Sequence, residues 1–576
     1  MSRRFLRFSY APLLLVAGFA FGQASPLDFQ RVAPKPPPQV QRAATLPSPG
    51  QGNFADDTPV LDKLTGIVLL SAADQVRPNG WPGVAGVTSR GEGLLSNPKL
   101  ASRLAAFLGK PATFGKLQEV CAEIVRYYRE HNRPVVDAQL PEQNVSKGVV
   151  QILVIEGHVG VMFAEDQRWF KEGRILGAIR AKKGDPIEAN RLLDDLNWLN
   201  RNSFRRSEVL FRKGASPGET DVVIKTTDRL PFRPYVGYDN WGTDLTGNHR
   251  LQAGFTWGDA FGLDQSLAYQ FSVAPDPRAF TAHAASWDIP LPWRHVLGFY
   301  GSYGVSRPDS AGVNFDETTL QLGALYTIPL PSMQSIKHEL SLGAEFKKTD
   351  NKLFFGGTNI FDSSTEIFQA RLSYLAREFD SKGAATAQAS IYYSPGGFNA
   401  ENSADAFEHA RAFAEPDYFY GRVTLQRTQK LPWKLTLVAT AAGQLSNANL
   451  LASEQFSLGG STTVRGYEES IANGDQGWLG GLELYSPSFT ALRQIWKAAP
   501  EDELKFLVFF DAGGVSNVHL LPGEPSYRGL AGIGVGLRYI ISTRLSVRFD
   551  YGWRLLGIQG LELDDSRAYL SVSMSY

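Results

Sequence analysis

The sequence predicts a transmembrane β-barrel of about 16 antiparallel strands, preceded by two small α+β modules. Across residues 231–576, apolar and polar residues alternate in runs of roughly the 9–11 residues that cross a bilayer at a tilt. After the N-terminus, no apolar run approaches the ~18 residues that a spanning helix needs. If the protein lies in a membrane, it therefore has to cross it as a closed barrel.

The N-terminal residues predict export from the cytoplasm and a tether. A basic lead precedes an apolar stretch at residues 11–22, and small residues stand before Ser25. Residues 1–24 are therefore interpreted as a signal peptide. Residues 25–52 are rich in proline, which favours an extended, solvated linker without a packed core.

Two consecutive modules with the order strand, helix, helix, strand, strand are predicted at residues 53–157 and 158–230. In the first module, Gly109 is expected to end the first helix and Thr113 to cap the second. The Gly-rich insertion at residues 77–92 has no predicted structure. Two tethered modules of one type, placed before something larger, indicate docking domains.

The first module offers a candidate binding edge. An exposed strand edge in such a module can pair with an extended polypeptide, because its main-chain groups have no partner strand. The candidate substrate-binding edge consists of Val135, Val136, Asp137, Ala138, Gln139 and Leu140.

The turns of the C-terminal region distinguish a membrane barrel from a soluble all-β fold. A sandwich or a propeller would also alternate between apolar and polar residues. Here the turns are alternately short, at 330–335 and 429–432, and long, at 306–317, 348–365 and 395–417. This asymmetry is typical of outer-membrane barrels, with short periplasmic turns and longer outer loops.

The chain ends on an aromatic residue. In the last run, apolar residues that end with Tyr576 alternate with serines. Such an end resembles the signal that the barrel assembly machinery reads, so Tyr576 is interpreted as the C-terminal barrel signal. The alternative is an ordinary edge strand.

A long polar interruption at residues 446–476 divides the barrel region and carries Arg465. Asp511 lies in an apolar strand, where a carboxylate cannot face lipid cheaply, so it is expected inside the barrel. Gly532 begins a column of alternating glycines that lets a segment approach the wall closely. From the residues alone, two arrangements stay open. Arg465 pairs with Asp511 and holds the loop inside, or the two side chains lie apart in solvated places.

Several short motifs occur in one order along the chain. They are Leu140-Pro141-Glu142-Gln143 and Ile155-Glu156-Gly157, Gly214 with Pro217-Gly218, Asp239-Asn240 with Gly242 and Thr246-Gly247, Val464-Arg465-Gly466-Tyr467, Gly474-Asp475-Gln476-Gly477, Glu483, and Phe509 with Asp511 and Gly513. In this order they resemble the two-partner secretion outer-membrane transporters (TpsB), also called the hemolysin secretion/activation protein family. That family belongs to the superfamily with POTRA domains ahead of a barrel, and the resemblance covers nearly the whole mature chain.

The resemblance implies two periplasmic POTRA domains at residues 53–157 and 158–230. It implies an outer-membrane barrel of about 16 strands at residues 231–576, with loop 446–476 folded inward. It also implies that the arginine of the Val464–Tyr467 motif meets wall partners, which are Glu483, Phe509, Asp511 and Gly513. Some family members plug the barrel with an N-terminal helix, which is not expected here because few residues precede the proline run.

The sequence predicts neither an enzyme nor a cofactor or metal site. Ser216 lies in a nucleophile-elbow pattern, but between two strands, whereas that elbow needs a strand-to-helix turn. The eight histidines are scattered without zinc-site spacing. Lys+Arg and Asp+Glu number 58 each, which gives no basic field for nucleic acid. The single cysteine, Cys121, shares a predicted helical face with apolar residues and is expected in a core.

The favoured function is that of an outer-membrane transporter. It would recognise a partner exoprotein in the periplasm through its POTRA domains and secrete it through the barrel. The expected partners are the exported protein, outer-membrane lipid and the barrel assembly machinery. The alternative is an outer-membrane protein assembly or insertion factor of the same superfamily, whereas a passive porin would leave the two modules unexplained.

Overall fold

The computed structural model describes residues 29–35, 46 and 56–576, apart from residues 244, 245, 308, 311, 312, 334, 335, 356, 357, 560, 561 and 563. The predicted signal peptide lies outside the described residues. The chain divides into two units, Arg42–Arg229 and a unit of Met1–Gln41 with Leu230–Tyr576. None of the helices in the described ranges combines the length and apolarity that a membrane span requires.

The first module of Arg42–Arg229 is a sheet covered by two helices. Its strands are Pro59–Leu61, Gly66–Leu70, Gly86–Arg90, Ala112–Thr113, Val136–Gln139 and Val149–Glu156, and its helices are Pro98–Ala105 and Phe114–Glu130. The four-stranded sheet has the spatial order Gly86–Arg90, Gly66–Leu70, Val149–Glu156, Val136–Gln139. The strand of the candidate binding residues therefore lies at one edge of the sheet.

Two expectations for this module are wrong. The insertion at residues 77–92 contains the strand Gly86–Arg90, which pairs in parallel with Gly66–Leu70. The glycines of this insertion obscure any alternating pattern in the sequence. The strand is recognised only by its pairing with Gly66–Leu70 in the folded module. The first helix ends at Ala105 and not at Gly109, whose N–H donates to Leu64 O at 2.8 Å in a turn beyond the helix.

Cys121 lies in the hydrophobic core of this module, as predicted, packed with Leu117, Ile124 and Tyr128. Burial raises the pKa of its thiol to about 12. Because the thiolate is the reactive form, the raised pKa disfavours reactivity at neutral pH, and this side chain contributes to packing.

The second module repeats the predicted order of elements. Its strands are His158–Glu165, Arg205–Lys213 and Glu219–Asp228, and its helices are Glu172–Gly177 and Ala189–Leu199. Glu219–Asp228 lies in the middle of the three-stranded sheet, parallel to His158–Glu165 and antiparallel to Arg205–Lys213. Leu192, Leu196 and Leu199 of the longer helix are buried against this sheet.

The described part of the second unit forms a closed antiparallel barrel of 16 strands, as predicted. They are Phe232–Asp239, Arg250–Ala260, Gln265–Val273, Phe280–Pro290, Val296–Ser306, Val313–Pro329, Ile336–Phe355, Thr358–Asp380, Gly383–Pro395, Asp417–Lys430, Thr436–Ser446, Gln476–Tyr485, Asp502–Ser516, Arg528–Ile541, Leu545–Arg554 and Ser566–Ser575. A two-residue segment, Asp309–Ser310, continues the fifth strand along the sixth. The last strand pairs with the first, with Tyr235 opposite Ser575.

The two faces of the wall follow the predicted alternation. In Asp502–Ser516, Phe506, Val508 and Phe510 are exposed on the outside, whereas Phe509 and Asp511 are buried on the inside. Outward apolar side chains suit contact with lipid. The inner face of the barrel is therefore the face available to polar groups.

The segments 306–317 and 348–365, predicted as loops, are largely strand, so this prediction is wrong. Val313–Pro329, Ile336–Phe355 and Thr358–Asp380 span 17, 20 and 23 residues, more than the ~9–11 that cross a bilayer. Their outer ends lose the apolar alternation because neither face of a sheet meets lipid beyond the membrane.

Two connections between strands contain a short helix. The turn after Gln476–Tyr485 is long for its side of the barrel and contains the helix Leu492–Ile495. The longer loop before Asp417–Lys430 contains the helix Ala404–Ala410. Neither helix is amphipathic over enough residues to stand out from the surrounding loop in the sequence.

A four-residue helix, Phe29–Val32, lies against the inner wall of the barrel, although no helical segment was expected there. The Phe29 N–H donates to Gln321 Oε1 at 3.0 Å, and Gln270 Nε2 donates to Val32 O at 3.1 Å. Lys35 Nζ lies 3.8 Å from Asp239 Oδ2. So short a helix is marginal in isolation, and contacts with the wall hold it here.

Candidate functional site

The loop between Thr436–Ser446 and Gln476–Tyr485 folds into the barrel. Its two limbs form a short antiparallel hairpin, Phe456–Leu458 with Ala472–Gly474. Val464 is fully buried in an apolar cluster with this hairpin and the wall. A Cβ at Gly513 would lie 2.9 Å from Leu458 Cδ1, so the missing side chain makes room for the hairpin.

Arg465 lies at the inner wall, where Asp511 binds it in a bidentate pair. Its Nε lies 2.7 Å from Asp511 Oδ2 and its Nη2 lies 2.9 Å from Oδ1. Its Nη1 lies 2.6 Å from Glu483 Oε1 and 3.5 Å from Asp550 Oδ1. The guanidinium stacks on the Phe509 ring, 3.5 Å from the centroid. Three carboxylates and an aromatic face thus surround one cation that is only 4 % exposed.

Two wall arginines complete the charge balance of this site. Arg538 Nη1 lies 2.8 Å from Asp550 Oδ1, and Arg548 Nε lies 2.8 Å from Asp550 Oδ2. Arg548 Nη2 also donates to the Ser461 carbonyl of the loop at 2.6 Å. Three cations therefore offset three carboxylates, which is the condition for keeping charges in a poorly solvated place.

Glycines on both sides let the loop main chain lie directly on the wall. A Cβ at Gly532 would overlap the carbonyl oxygen of Arg465, and one at Gly552 would lie 2.7 Å from Gly466 N. Gly466 itself has φ 105°, a conformation that side chains disfavour, and it faces the main chain of Trp553. The Val464–Tyr467 motif therefore lies directly against the glycine column that was predicted on the wall.

Two tyrosines hold the main chain on either side of Gly466. The Tyr467 hydroxyl lies 2.7 Å from Leu556 O and 2.9 Å from Ala531 O. Gly466 N–H donates to the Tyr569 hydroxyl at 3.0 Å, and that hydroxyl donates to Tyr467 O. Each tyrosine joins the loop to a different part of the wall, so the main chain next to Arg465 is held at two places.

The structure brings eight of the predicted residues into this one site inside the barrel. They are Val464, Arg465, Gly466, Tyr467, Glu483, Phe509, Asp511 and Gly513. Tyr576 lies apart, one residue beyond the last strand, with its N–H donated to Pro234 O at 3.2 Å. The residues Val135–Leu140 lie in the other unit at the edge of the first module.

Sequence reasoning missed several members of the site. Asp550, Arg538 and Tyr569 all face inward, and nothing in the sequence assigned them a partner. Asp475 was part of a motif without a role. It is fully buried and binds Arg411 Nη1 at 2.6 Å and Leu450 N–H at 2.9 Å.

The chemistry of this site is that of ion pairing. Within the described ranges, no group of three or more His, Cys, Asp and Glu side chains is placed to hold a metal ion. The carboxylates around Arg465 are already paired with arginines. The arrangement holds the loop on the wall through buried ion pairs in addition to the apolar cluster around Val464.

A comparison with protein families identifies the family to which this architecture belongs. The sequence model of the haemolysin secretion/activation proteins ShlB/FhaC/HecB matches residues 218–539, more than half of the chain. The chain belongs to this family. A ShlB-type POTRA domain also matches residues 84–157. The protein is therefore an outer-membrane barrel of a transporter family, and its first module is a POTRA domain, which in this family lies in the periplasm.

Individual relatives agree with this assignment. The heme/hemopexin transporter protein HuxB of Haemophilus influenzae is 23% identical over 419 residues, 68% of this chain and 70% of that protein. The outer membrane transporter CdiB of Dickeya dadantii is 23% identical over 474 residues, 80% of each chain. The solved structure of CdiB from Escherichia coli superposes with a TM-score of 0.71 at 18% identity, covering 92% of this chain and 94% of that one, so the fold is shared.

Proposed function

We propose that this protein binds a partner exoprotein in the periplasm through its POTRA modules and secretes it through the barrel, with loop 446–476 as a releasable closure. The proposal includes the interpretation of residues 158–230 as a second POTRA domain. No bond is made or broken in this activity, so we assign the chain no enzymatic step.

The observation that carries the proposal is the set of ion pairs that Arg465 of the loop forms with carboxylates of the wall. Asp511 and Glu483 bind a cation that belongs to the loop, while Arg538 and Arg548 belong to the wall. If the loop leaves, Asp550 keeps both wall arginines, so much of the wall charge stays paired. A closure of this kind supports opening and closing better than a continuous apolar core would.

The edge strand of the first POTRA domain supports recognition of an extended chain. Gly157 N–H donates to Val135 O at 3.0 Å, and Val136 lies opposite Glu156. In an antiparallel ladder such bonded positions alternate, so the main-chain groups of Val136 and Ala138 point away from the sheet. An unfolded polypeptide can add a strand there.

The names of the relatives favour export over a passive pore. HuxB and CdiB are both called transporters, and HuxB is assigned to heme/hemopexin. We infer by analogy that this chain exports one partner protein.

Deleting the gene tests the proposal against the alternative of an assembly factor. We expect one large secreted protein to disappear from the culture medium, while the set of outer-membrane proteins stays unchanged in quantitative proteomics. Loss of many outer-membrane proteins would instead identify an assembly or insertion factor. Re-expression of the wild-type chain is the control and should restore the single secreted protein.

Ala138→Pro is expected to weaken partner binding without unfolding the domain. Proline is tolerated at an edge position whose N–H points outward, yet it removes that donor from a pairing strand. Losing one such hydrogen bond costs about 1 kcal/mol, or roughly fivefold in affinity. The measurement is fluorescence anisotropy of the labelled N-terminal segment of the secreted protein with the full-length transporter in detergent.

Ala138→Val is the matched control for the edge, because it keeps the main-chain N–H. We expect this variant to bind the labelled segment with wild-type affinity. Equal affinity of the wild type and Ala138→Pro would show that the partner does not pair with this edge.

A further inference from the structure

A second buried ionic cluster holds the first limb of the loop, away from the ion pairs of Arg465. Glu454 is fully buried, and its Oε1 lies 2.7 Å from Lys347 Nζ of the wall. Its Oε2 accepts from the Tyr420 hydroxyl at 2.7 Å and from Gln369 Nε2 at 3.1 Å. Both oxygens of this carboxylate are therefore bound, Oε1 by a cation and Oε2 by two neutral donors.

The wall side of this cluster has its own charges. Lys347 Nζ lies 4.0 Å from Glu345 Oε2, and Arg371 Nη1 lies 3.5 Å from Glu345 Oε1. Gln369 Nε2 also donates to Glu345 at 2.8 Å. The four linked charges balance as two cations and two carboxylates, and Glu454 is the one that the loop contributes.

The two ionic clusters lie on different parts of the wall. Lys347 belongs to Ile336–Phe355, the seventh strand, and Asp511 belongs to Asp502–Ser516, the thirteenth. In the closed order of 16 described strands these are well separated around the lumen. The loop therefore presents an anion to one wall and a cation to another. Its departure would leave an excess positive charge near Lys347 and an excess negative charge near Asp511.

We propose that Lys347 and Glu454 form a second anchor of the loop, and that the lumen opens fully only when both ion pairs separate. They are positioning residues that act through the loop. This inference rests on the proposed function, in which loop 446–476 closes the barrel. Unlike that function, the inference predicts a change in channel conductance. Conductance can be measured without an exported partner.

Single-channel recordings of the purified full-length protein in planar lipid bilayers test the anchor. Glu454→Gln and Lys347→Gln each leave an unbalanced buried charge, so each should raise the frequency of large-conductance openings at least about fivefold. The double variant removes the anchor but leaves Glu345 balanced by Arg371, so its effect should be smaller than the sum of the two single effects. Additive effects in the double variant would overturn the pairing.

The neighbouring lysine offers a matched control. Lys348 Nζ lies 2.6 Å from Glu401 and 3.0 Å from Glu366, an ion pair of similar distances that does not involve the loop. Lys348→Gln should therefore leave the conductance unchanged. An equal increase for Lys348→Gln would mean that any lost ion pair loosens the barrel, which overturns the anchor.

A milder variant covers the case in which the charge variants fail to assemble. Tyr420→Phe removes a hydroxyl that binds Glu454 but keeps the ring, which stacks 4.5 Å from Tyr392. It should raise the opening frequency in the same direction and by less. Wild-type conductance in Tyr420→Phe and in the single variants would refute the anchor and leave the export proposal intact. Secretion by the same strains tests export separately.

Discussion

Arg465→Ala is expected to reduce secretion of the partner to background while the barrel remains inserted. The change leaves Asp511 without the bidentate guanidinium that neutralises it. Removing one partner of a buried ion pair costs ~3–5 kcal/mol, which the loop would lose from its attachment to the wall. The measurements are the amount of secreted protein and the heat-modifiable electrophoretic mobility of the barrel in outer-membrane fractions.

Arg465→Lys is the informative companion to this variant. Lysine keeps the charge but lacks the planar fork that binds Asp511 and Glu483 together, and it stacks less well on Phe509. It should therefore secrete an intermediate amount. Normal secretion by Arg465→Ala would contradict the role given to the loop, whereas loss of the barrel itself would show that the arginine serves assembly.

Gly532→Ala should displace the loop as effectively as removal of the arginine. Its Cβ would overlap the carbonyl oxygen of Arg465, a main-chain atom that cannot rotate away. Moving that segment pulls Arg465 from Asp511, so the cost is expected to exceed the ~1–3 kcal/mol of ordinary overpacking. We expect secretion to fall and large-conductance openings to become frequent in bilayer recordings.

Gly480→Ala is the matched control for the glycine. It adds the same methyl group to Gln476–Tyr485, a wall strand two places away, where the nearest other atom lies 3.9 Å from the added carbon. This variant should secrete and conduct like the wild type. If both alanine variants behave alike, the close approach of the loop to Gly532 has no functional consequence.

Much of the barrel can be predicted from the chain because lipid acts on every second residue. A strand with one face in hydrocarbon must alternate, so Phe506, Val508 and Phe510 revealed both a strand and its inward face. The same logic places Asp511 inside, since a carboxylate in lipid is costly. Where that constraint ends, prediction fails, as in the outer ends of Ile336–Phe355 and Thr358–Asp380.

The sequence by itself determined that the C-terminal region is a barrel of about 16 strands, the inward face of several of them and the loop that carries the arginine. These follow from local periodicity and from the cost of charge in a membrane. Only the tertiary structure decided which inward groups meet. The contact of Arg465 with Asp550, the contact of Glu454 with Lys347 and the position of Phe29–Val32 depend on how distant segments are brought together. The physical reason is that each contact joins residues whose local sequences carry no information about one another, and closure of the barrel alone sets their separation.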